Sequence, residues 1–175
     1  MPVKITCRYY IHKTTSMNLT LLQASKKHAT VLQHLMQFYM YDFSVYTHHD
    51  VEESGLFAAY PGLESYWDEE GNKFPYIIIK EDKYVGFALV KRVETGERCY
   101  FSIAEFFILR KYRLAGMGKT IATQLFTIHK GPWEVYQMSN NKPAQLFWNR
   151  VIKSFTKGKF TQRIEDGRRI QNFES

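Results

Sequence analysis

The feature that most restricts this chain is Arg113-Leu-Ala-Gly116-Met-Gly118-Lys119-Thr120. It directly follows the apolar run Phe106-Phe-Ile-Leu109 and opens an amphipathic segment. A strand feeding a glycine-rich turn at a helix start is a phosphate-binding device. It presents backbone N–H groups, a partial positive charge at the helix N-terminus, and glycine where an anion must come close. Spacing excludes two versions of this device. A nucleotide P-loop needs glycine five residues before Gly118, where Arg113 stands. A dinucleotide fingerprint needs glycine where Ile121 stands. The pattern that remains is Arg-x-x-Gly-x-Gly.

Composition sets the bounds. The 175 residues suffice for one domain with its own core, and a hydrophobic share of 45% argues against disorder. No apolar run approaches the roughly 20 residues needed to span a bilayer, so no membrane partner is expected. The start, Met-Pro-Val-Lys-Ile-Thr-Cys-Arg, lacks the apolar core and cleavage site of a secretory signal. Cys7 and Cys99 give neither metal spacing nor a disulfide framework, which fits a reducing cytoplasm, and Cys99 reads as a small core residue. Net charge is +7, from 24 basic and 17 acidic residues. Either a polyanion or a cofactor with several phosphate charges would explain it. Arg110, Lys111, Arg113, Lys119 and Lys130 surround the phosphate turn, which favours the cofactor. No run of five basic residues occurs, so a nucleic-acid partner is not expected.

The periodicity predicts a strand at Met17–Leu22, then a helix from Ser25 with an apolar face of Leu32, Leu35, Met36, Tyr39, Met40 and Phe43. Residues 44–72 are turn-rich and acidic. Tyr76–Ile79 and Tyr84–Val90 flank Glu81-Asp82 as a hairpin, and a third strand covers about 99 to 109. After the turn, Met117, Ile121, Leu125 and Ile128 mark a helix, and Trp133–Tyr136 a strand. Ala144, Phe147, Trp148, Val151, Ile152 and Phe155 mark another helix, and Asp166-Gly167 a terminal hairpin. The order β-α-(α)-β-β-β-α-β-α-β-β is an α+β fold with a mixed, mostly antiparallel central sheet of about six to seven strands. Residues 1–16 read as an N-terminal extension, or Met17 as an alternative start, and 17–175 as a single domain.

Arg113, Gly116 and Gly118, followed by Asn141-Lys-Pro-Ala144-Gln-Leu-Phe147-Trp148, resemble the two signature segments of the GNAT acetyltransferase superfamily. These are (Gln/Arg)-x-x-Gly-x-(Gly/Ala) on the turn and a later Asn-x-x-Ala-x-x-(Phe/Tyr)-Tyr helix. The resemblance covers roughly residues 17 to 160. The stretch from Phe101 to Arg113 is similar to a bacterial branch of that superfamily. It implies the GNAT fold and an N-acetyltransferase using acetyl-CoA as co-substrate, with no metal. The acceptor is a small-molecule or protein amine that attacks the thioester directly in a ternary complex.

The resemblance also assigns residues. Two strands splay beside the turn, and Phe107, Ile108 and Leu109 border the pantetheine arm, with the Ile108 N–H near the acetyl carbonyl. Arg113, Leu114, Ala115, Gly116, Met117, Gly118 and Lys119 hold the pyrophosphate. Asn141, Ala144, Phe147 and Trp148 border the pantetheine end, and Asn141 also reads as an N-cap, with Pro143 in the first turn. Glu105 is the candidate base, because burial between Ile103, Phe106 and Phe107 raises a carboxyl pKa. The alternatives are a solvent-facing glutamate or one held by a lysine. Strand alternation puts Glu105 and Phe107 on one face, opposite Ile108, unless a bulge intervenes. Trp148 departs from the pattern, since many members carry a tyrosine acid there. Tyr136 or water substitutes, or the thiolate leaves unassisted.

Acceptor-side candidates are Tyr41, Asp42, Tyr46 and Trp67. Tyr41, Asp42 and Tyr46 lie off the buried stripe of their helix. His48-His49-Asp50 lacks the spacing for a metal site. A reading from another class keeps the fold as a non-catalytic CoA-binding or RNA-binding module. The open edge of the C-terminal hairpin could pair with a second copy as a homodimer.

Overall fold

The structure, a computed structural model, describes residues 11–14, 18–68, 71–113 and 116–175. Among the described residues, eight strands form one sheet in the order β1-β2-β3-β4-β5-β6-β8-β7. They are β1 (Ile11–Thr14), β2 (Leu19–Gln23), β3 (Lys73–Lys80), β4 (Lys83–Thr95), β5 (Arg98–Ile108), β6 (Pro132–Met138), β7 (Thr161–Glu165) and β8 (Arg168–Glu174). The helices are α1 (Ala29–Phe43), α2 (Ser65–Asp68), α3 (Met117–Ile128) and α4 (Lys142–Phe155). This is the α+β architecture that the pattern predicts. The strand added to the expected order is β1, which pairs antiparallel with β2.

The sheet separates two cores. On one face, Leu32, Leu35 and Met36 of α1 pack with Tyr66 of α2 on Ile77, Phe87, Leu89 and Phe107. On the other, Met117, Ile121 and Leu125 of α3 and Trp148, Val151 and Ile152 of α4 cover Ile78, Ala88, Val90, Ile103 and Val135. Both faces of β4 are covered, which explains its unbroken apolar run from Val85 to Val90. α1 mixes strong helix formers such as Ala29, Leu32, Leu35 and Met36 with the weaker Val31, Phe38, Tyr39, Tyr41 and Phe43, and its intrinsic propensity alone is marginal at this length. Burial of its three core side chains is worth roughly 5–9 kcal/mol, so packing rather than propensity holds it.

Two tight turns set the register as the sequence predicts. Glu81 and Asp82 have φ of 48° and 60°, and Asp166 and Gly167 have 47° and 68°. Two left-handed residues in succession match the right-handed twist of the flanking strands. Cys99 departs from expectation. It is exposed, near the β4–β5 turn, and its Sγ accepts from Arg92 Nε at 3.0 Å. Opposite Glu94, it lies beyond the reach of either core.

One irregularity determines which face carries the candidate base. Leu89 pairs with Glu105 while its neighbour Val90 pairs with Ile103, so Ala104 is an extra residue in β5. Without that bulge Glu105 would share the α3/α4 face with Ile103. With it, Glu105 turns to the α1 face together with Phe107. Ile108 lies on the opposite face, in the α3/α4 core.

Candidate cofactor cleft and active site

β5 and β6 are the only parallel neighbours among the described strands, and a single residue pair, Phe101 with Trp133, joins them. Beyond it the strands part, leaving a wedge between Ser102–Ile108 and Glu134–Met138. Leu109 N–H donates to the Val85 carbonyl at 2.9 Å, toward β4. By alternation the Ile108 peptide points to the opposite edge, into the wedge. Its carbonyl there accepts from Arg113 Nε at 2.7 Å.

The glycine turn closes the top of the wedge. Gly116 caps α3 in a left-handed conformation, φ 74° and ψ −6°, with no side-chain cap and no acidic residue in the first turn. A Cβ on Gly116 would meet nothing within 4 Å, so its backbone conformation, rather than crowding, calls for glycine. Gly118 is needed for a different reason. A Cβ there would lie 3.0 Å from Phe147 Cε2 and 3.6 Å from Ile108 Cδ1. Its absence lets Phe147 of α4 close against the start of α3. Met117 is buried, so only its backbone can face a ligand. Lys119 is exposed beside the turn. Leu114 and Ala115 lie outside the described residues.

α4 starts at the far side of the wedge. Asn141 Oδ1 accepts from the Ala144 N–H at 3.0 Å, the N-cap role, with proline in the first turn. Trp148 is only 6% exposed, with its ring 5.2 Å from Phe106, 4.9 Å from Phe147 and 6.3 Å from Phe126. The larger ring at the tyrosine position is thus part of the α3/α4 core.

On the opposite face of the sheet, Glu105 sits between two phenols. Tyr60 Oη donates to Oε1 at 2.8 Å and Tyr39 Oη donates to Oε2. Burial pushes the Glu105 carboxyl above the usual range. The two hydrogen bonds and the Lys91 ammonium pull against that shift without cancelling it. Tyr39 reads from sequence as a core residue, and its ring does pack against Phe43 at 5.2 Å. Neither Tyr60, in an aperiodic loop before Pro61-Gly62, nor Lys91 stands out in the sequence. A Tyr before a Pro-Gly turn was the one available signal for the first.

Asp42 accepts from Arg110 Nε at 2.9 Å and from Arg113 Nη2. Arg113 thereby ties the C-terminal end of α1 to the end of β5, with its guanidinium 5.6 Å from the Phe107 ring. Phe107 is buried in the α1-side core and Leu109 packs against it, so neither side chain lies on the α3 side of the wedge. Tyr41 is 66% exposed, and the Tyr46 carbonyl accepts from Asn140 Nδ2 at 3.0 Å. Trp67 stands apart. Its Nε1 donates to the Ala24 carbonyl at 3.0 Å, at the other end of α1, roughly 20 Å away at 1.5 Å per residue.

Tyr136 faces the α1 side, where its Oη donates to Glu134 Oε2 at 2.6 Å and lies 3.0 Å from Tyr100 Oη. Burial and the Glu134 carboxylate raise its pKa. Glu134 is 2% exposed. Burial works to raise its pKa, but hydrogen bonds from Tyr136, Asn172, Arg163 and Arg98 outweigh that and lower it. Of these two carboxylates, the half-buried Glu105, with its pKa raised, is thus the better proton acceptor, and the buried Glu134 is a structural anion.

Among the described residues, no group of three or more His, Cys, Asp or Glu is placed to hold a metal. No described helix is long and apolar enough to cross a membrane.

No protein-family model and no curated protein matches the chain by sequence. Solved structures do match in shape. The GNAT domain of S. lividans PAT superposes with a TM-score of 0.61 at 13% identity, over 90% of this chain and 90% of that one. The PaiA N-acetyltransferase of Thermoplasma acidophilum, in complex with coenzyme A, gives 0.62 at 12% identity over 91% and 100%. An aminoglycoside acetyltransferase from an uncultured soil metagenomic sample, in complex with sisomicin, gives 0.59 at 15% identity over 85% and 93%. The sheet order, the parted β5 and β6 and the turn at Gly116 give this chain the fold of the GNAT acetyltransferases.

Proposed function

We propose that the protein is an acyl-CoA-dependent N-acetyltransferase that moves acetyl from acetyl-CoA to a primary amine by direct attack in a ternary complex. One observation carries this reading: the wedge between β5 and β6 lies between an uncapped helix N-terminus at Gly116 and a half-buried, two-tyrosine-bound Glu105. The residues fit the co-substrate. Open space at Gly116, free first-turn amides, no acid in that turn, and Arg110, Lys111 and Lys119 nearby suit a pyrophosphate. When bound, acetyl-CoA supplies an activated acyl group on a thioester.

The chain does the rest. The N–H groups of Gly116, Met117, Gly118 and Lys119, with those of Leu114 and Ala115, hold the phosphates. Phe147 and the Asn141–Ala144 turn wall the pantetheine end. The Ile108 N–H stabilises negative charge on the acyl oxygen. Glu105 takes the proton of the acceptor amine, its pKa raised toward the working range. Arg113 acts through its hold on the Ile108 carbonyl and on Asp42, not as a phosphate ligand. The Tyr136 hydroxyl keeps its proton and donates it in a hydrogen bond to Glu134, so the thiolate is protonated by solvent or leaves unassisted. Tyr41 and Tyr46, at the C-terminal end of α1, border the acceptor opening, with Asp42 fixing the helix end. The acceptor is a small-molecule or protein amine, and a cytoplasmic location fits the need for acetyl-CoA.

The same absence of an acid, with Trp148 in the core, favours a second reading as a CoA-binding module without turnover. Thiol release from acetyl-CoA over a panel of amines separates the two. An enzyme releases thiol with at least one amine and loses that activity in Glu105→Gln. A binding module is stabilised thermally by CoA and releases none.

A further inference from the structure

Several arginines of this protein are neutralised by carboxylates, whereas the outer face of α4 gathers cations with none beside them among the described residues. Arg92, Arg98, Arg110, Arg113 and Arg163 are each paired with a carboxylate. Lys142, Arg150, Lys153 and Lys157 are exposed, and among the described residues no ion pair to them is found. From Val135 to Ile164 the chain contains no Asp or Glu. At about 100° per residue, Lys142, Arg150 and Lys153 fall within an arc of about 80° on α4, opposite the buried Trp148, Val151 and Ile152. Lys157 follows just past the helix end. The four cations span about 20 Å. Arg169, whose Nη2 reaches Asn149 Oδ1 at 3.3 Å, carries the positive surface from the helix onto β8. No run of basic residues shows this stripe in the sequence, because helical periodicity assembles it.

We infer that the outer face of α4 docks the phosphodiester backbone of a nucleic acid. The stripe is a straight, rigid row of unpaired cations, the geometry that tracks successive phosphates. A membrane does not suit it, because the apolar face of α4 is consumed by the core and Leu146, 67% exposed, is the only large apolar side chain on the stripe. A protein partner does not suit it either, since interface centres are built on aromatic anchors that this face lacks. Arg150, Lys153 and Lys157 lie toward the C-terminal end of α4, away from the Asn141 end that walls the wedge. Only Lys142 of the row sits beside that end, so three of the four cations stay clear of the proposed cofactor cleft.

The test is fluorescence anisotropy of the full chain with labelled oligouridylate and with duplex DNA, each of about 20 residues per strand. Salt is titrated from about 50 to 200 mM. About four phosphate contacts predict an affinity loss of about 50-fold for the single strand and about 150-fold for the duplex. Arg150→Gln/Lys153→Gln/Lys157→Gln should cut the log–log salt slope to about a quarter. Its melting and CoA binding should stay close to those of the unaltered protein. Arg150→Lys, which keeps the charge, should bind as before and serves as the control if the triple variant does not fold. Four results would overturn the inference. They are no salt-dependent binding at the lowest salt, a triple variant that binds as tightly as the unaltered protein, displacement of the nucleic acid by saturating CoA, or binding to phosphatidylserine vesicles with none to either oligonucleotide.

Discussion

Arg113 Nε donates to the Ile108 carbonyl at 2.7 Å, while the same guanidinium reaches Asp42 on α1. A residue that the sequence pattern marks as part of a phosphate turn is thereby turned back onto the strand before it. The consequence is a fixed Ile108 peptide at the C-terminal end of β5, beside the glycine turn. Arg113→Met should weaken acetyl-CoA binding about tenfold, or about 1.4 kcal/mol, through a loosened β5 end. Arg113→Lys should recover little, because an ammonium cannot hold both oxygens with a planar fork. Calorimetric titration with CoA and acetyl-CoA checks this. Unchanged affinity in Arg113→Met would remove the positioning role.

The tyrosine pair on Glu105 makes a signed prediction. Each phenol donates to the carboxylate and so favours its ionised form, against a burial effect that disfavours it. Tyr60→Phe removes one donor, and the Glu105 pKa should rise further. The acidic limb of the pH–rate profile should then move up by about one pH unit. Glu105→Gln should abolish the limb along with most of the activity. A limb that stays in place in Tyr60→Phe would show that another group reports it.

Two glycines should differ in kind. A Cβ at Gly86 would lie 2.1 Å from the Phe107 carbonyl oxygen, a backbone atom that cannot move aside. Gly86→Ala should cost about 3 kcal/mol or more and disturb the β4–β5 ladder opposite Ile108. At Gly116 there is open space but a left-handed backbone, so Gly116→Ala should cost roughly 1–2 kcal/mol. Thermal or urea unfolding of the two variants gives the comparison. Equal losses would contradict the crowding argument at Gly86.

His129 predicts how stability varies with acidity. Burial among Phe74, Phe101 and Trp133 lowers its pKa from 6.5 to about 4, and its Nε2 lies 2.8 Å from Tyr76 Oη. The unfolded chain takes up a proton below about pH 6.5 that the folded chain refuses. Stability therefore falls as pH drops from about 6.5 toward 4, by roughly 3 kcal/mol in all. His129→Gln keeps a hydrogen-bonding partner for Tyr76 without titrating, and should flatten that part of the curve. Denaturant unfolding at a series of pH values measures it.

Much of the cofactor side was readable because its determinants are local. Arg-x-x-Gly-x-Gly fixes a turn, Asn141 with Pro143 starts a helix, and Glu81-Asp82 closes a hairpin, each within a few residues. Helix faces follow from a period that the sequence displays directly. The acceptor side was less readable. Asp42 and Trp67 look alike in sequence as polar-tipped candidates, yet one is held by two arginines and the other is tethered to Ala24 at the far end of α1. Cys99 reads as core from its strand, but it lies past the helices that would cover it.

By itself the sequence determined the order of strands and helices from β2 onward, the glycine turn before α3, and the apolar stripes that place helices on both faces. Tertiary structure alone decided which face carries Glu105, because one extra residue at Ala104 reverses strand alternation, and a bulge is defined by its partner strand. It also decided that Tyr39, from α1, and Tyr60, from a loop, meet on one carboxylate, and that Arg113 serves Ile108 and Asp42. These pairings join residues 45 to 71 positions apart, except Arg113 with Ile108. The gain from such contacts appears only after the chain has closed on itself, so no local pattern encodes them.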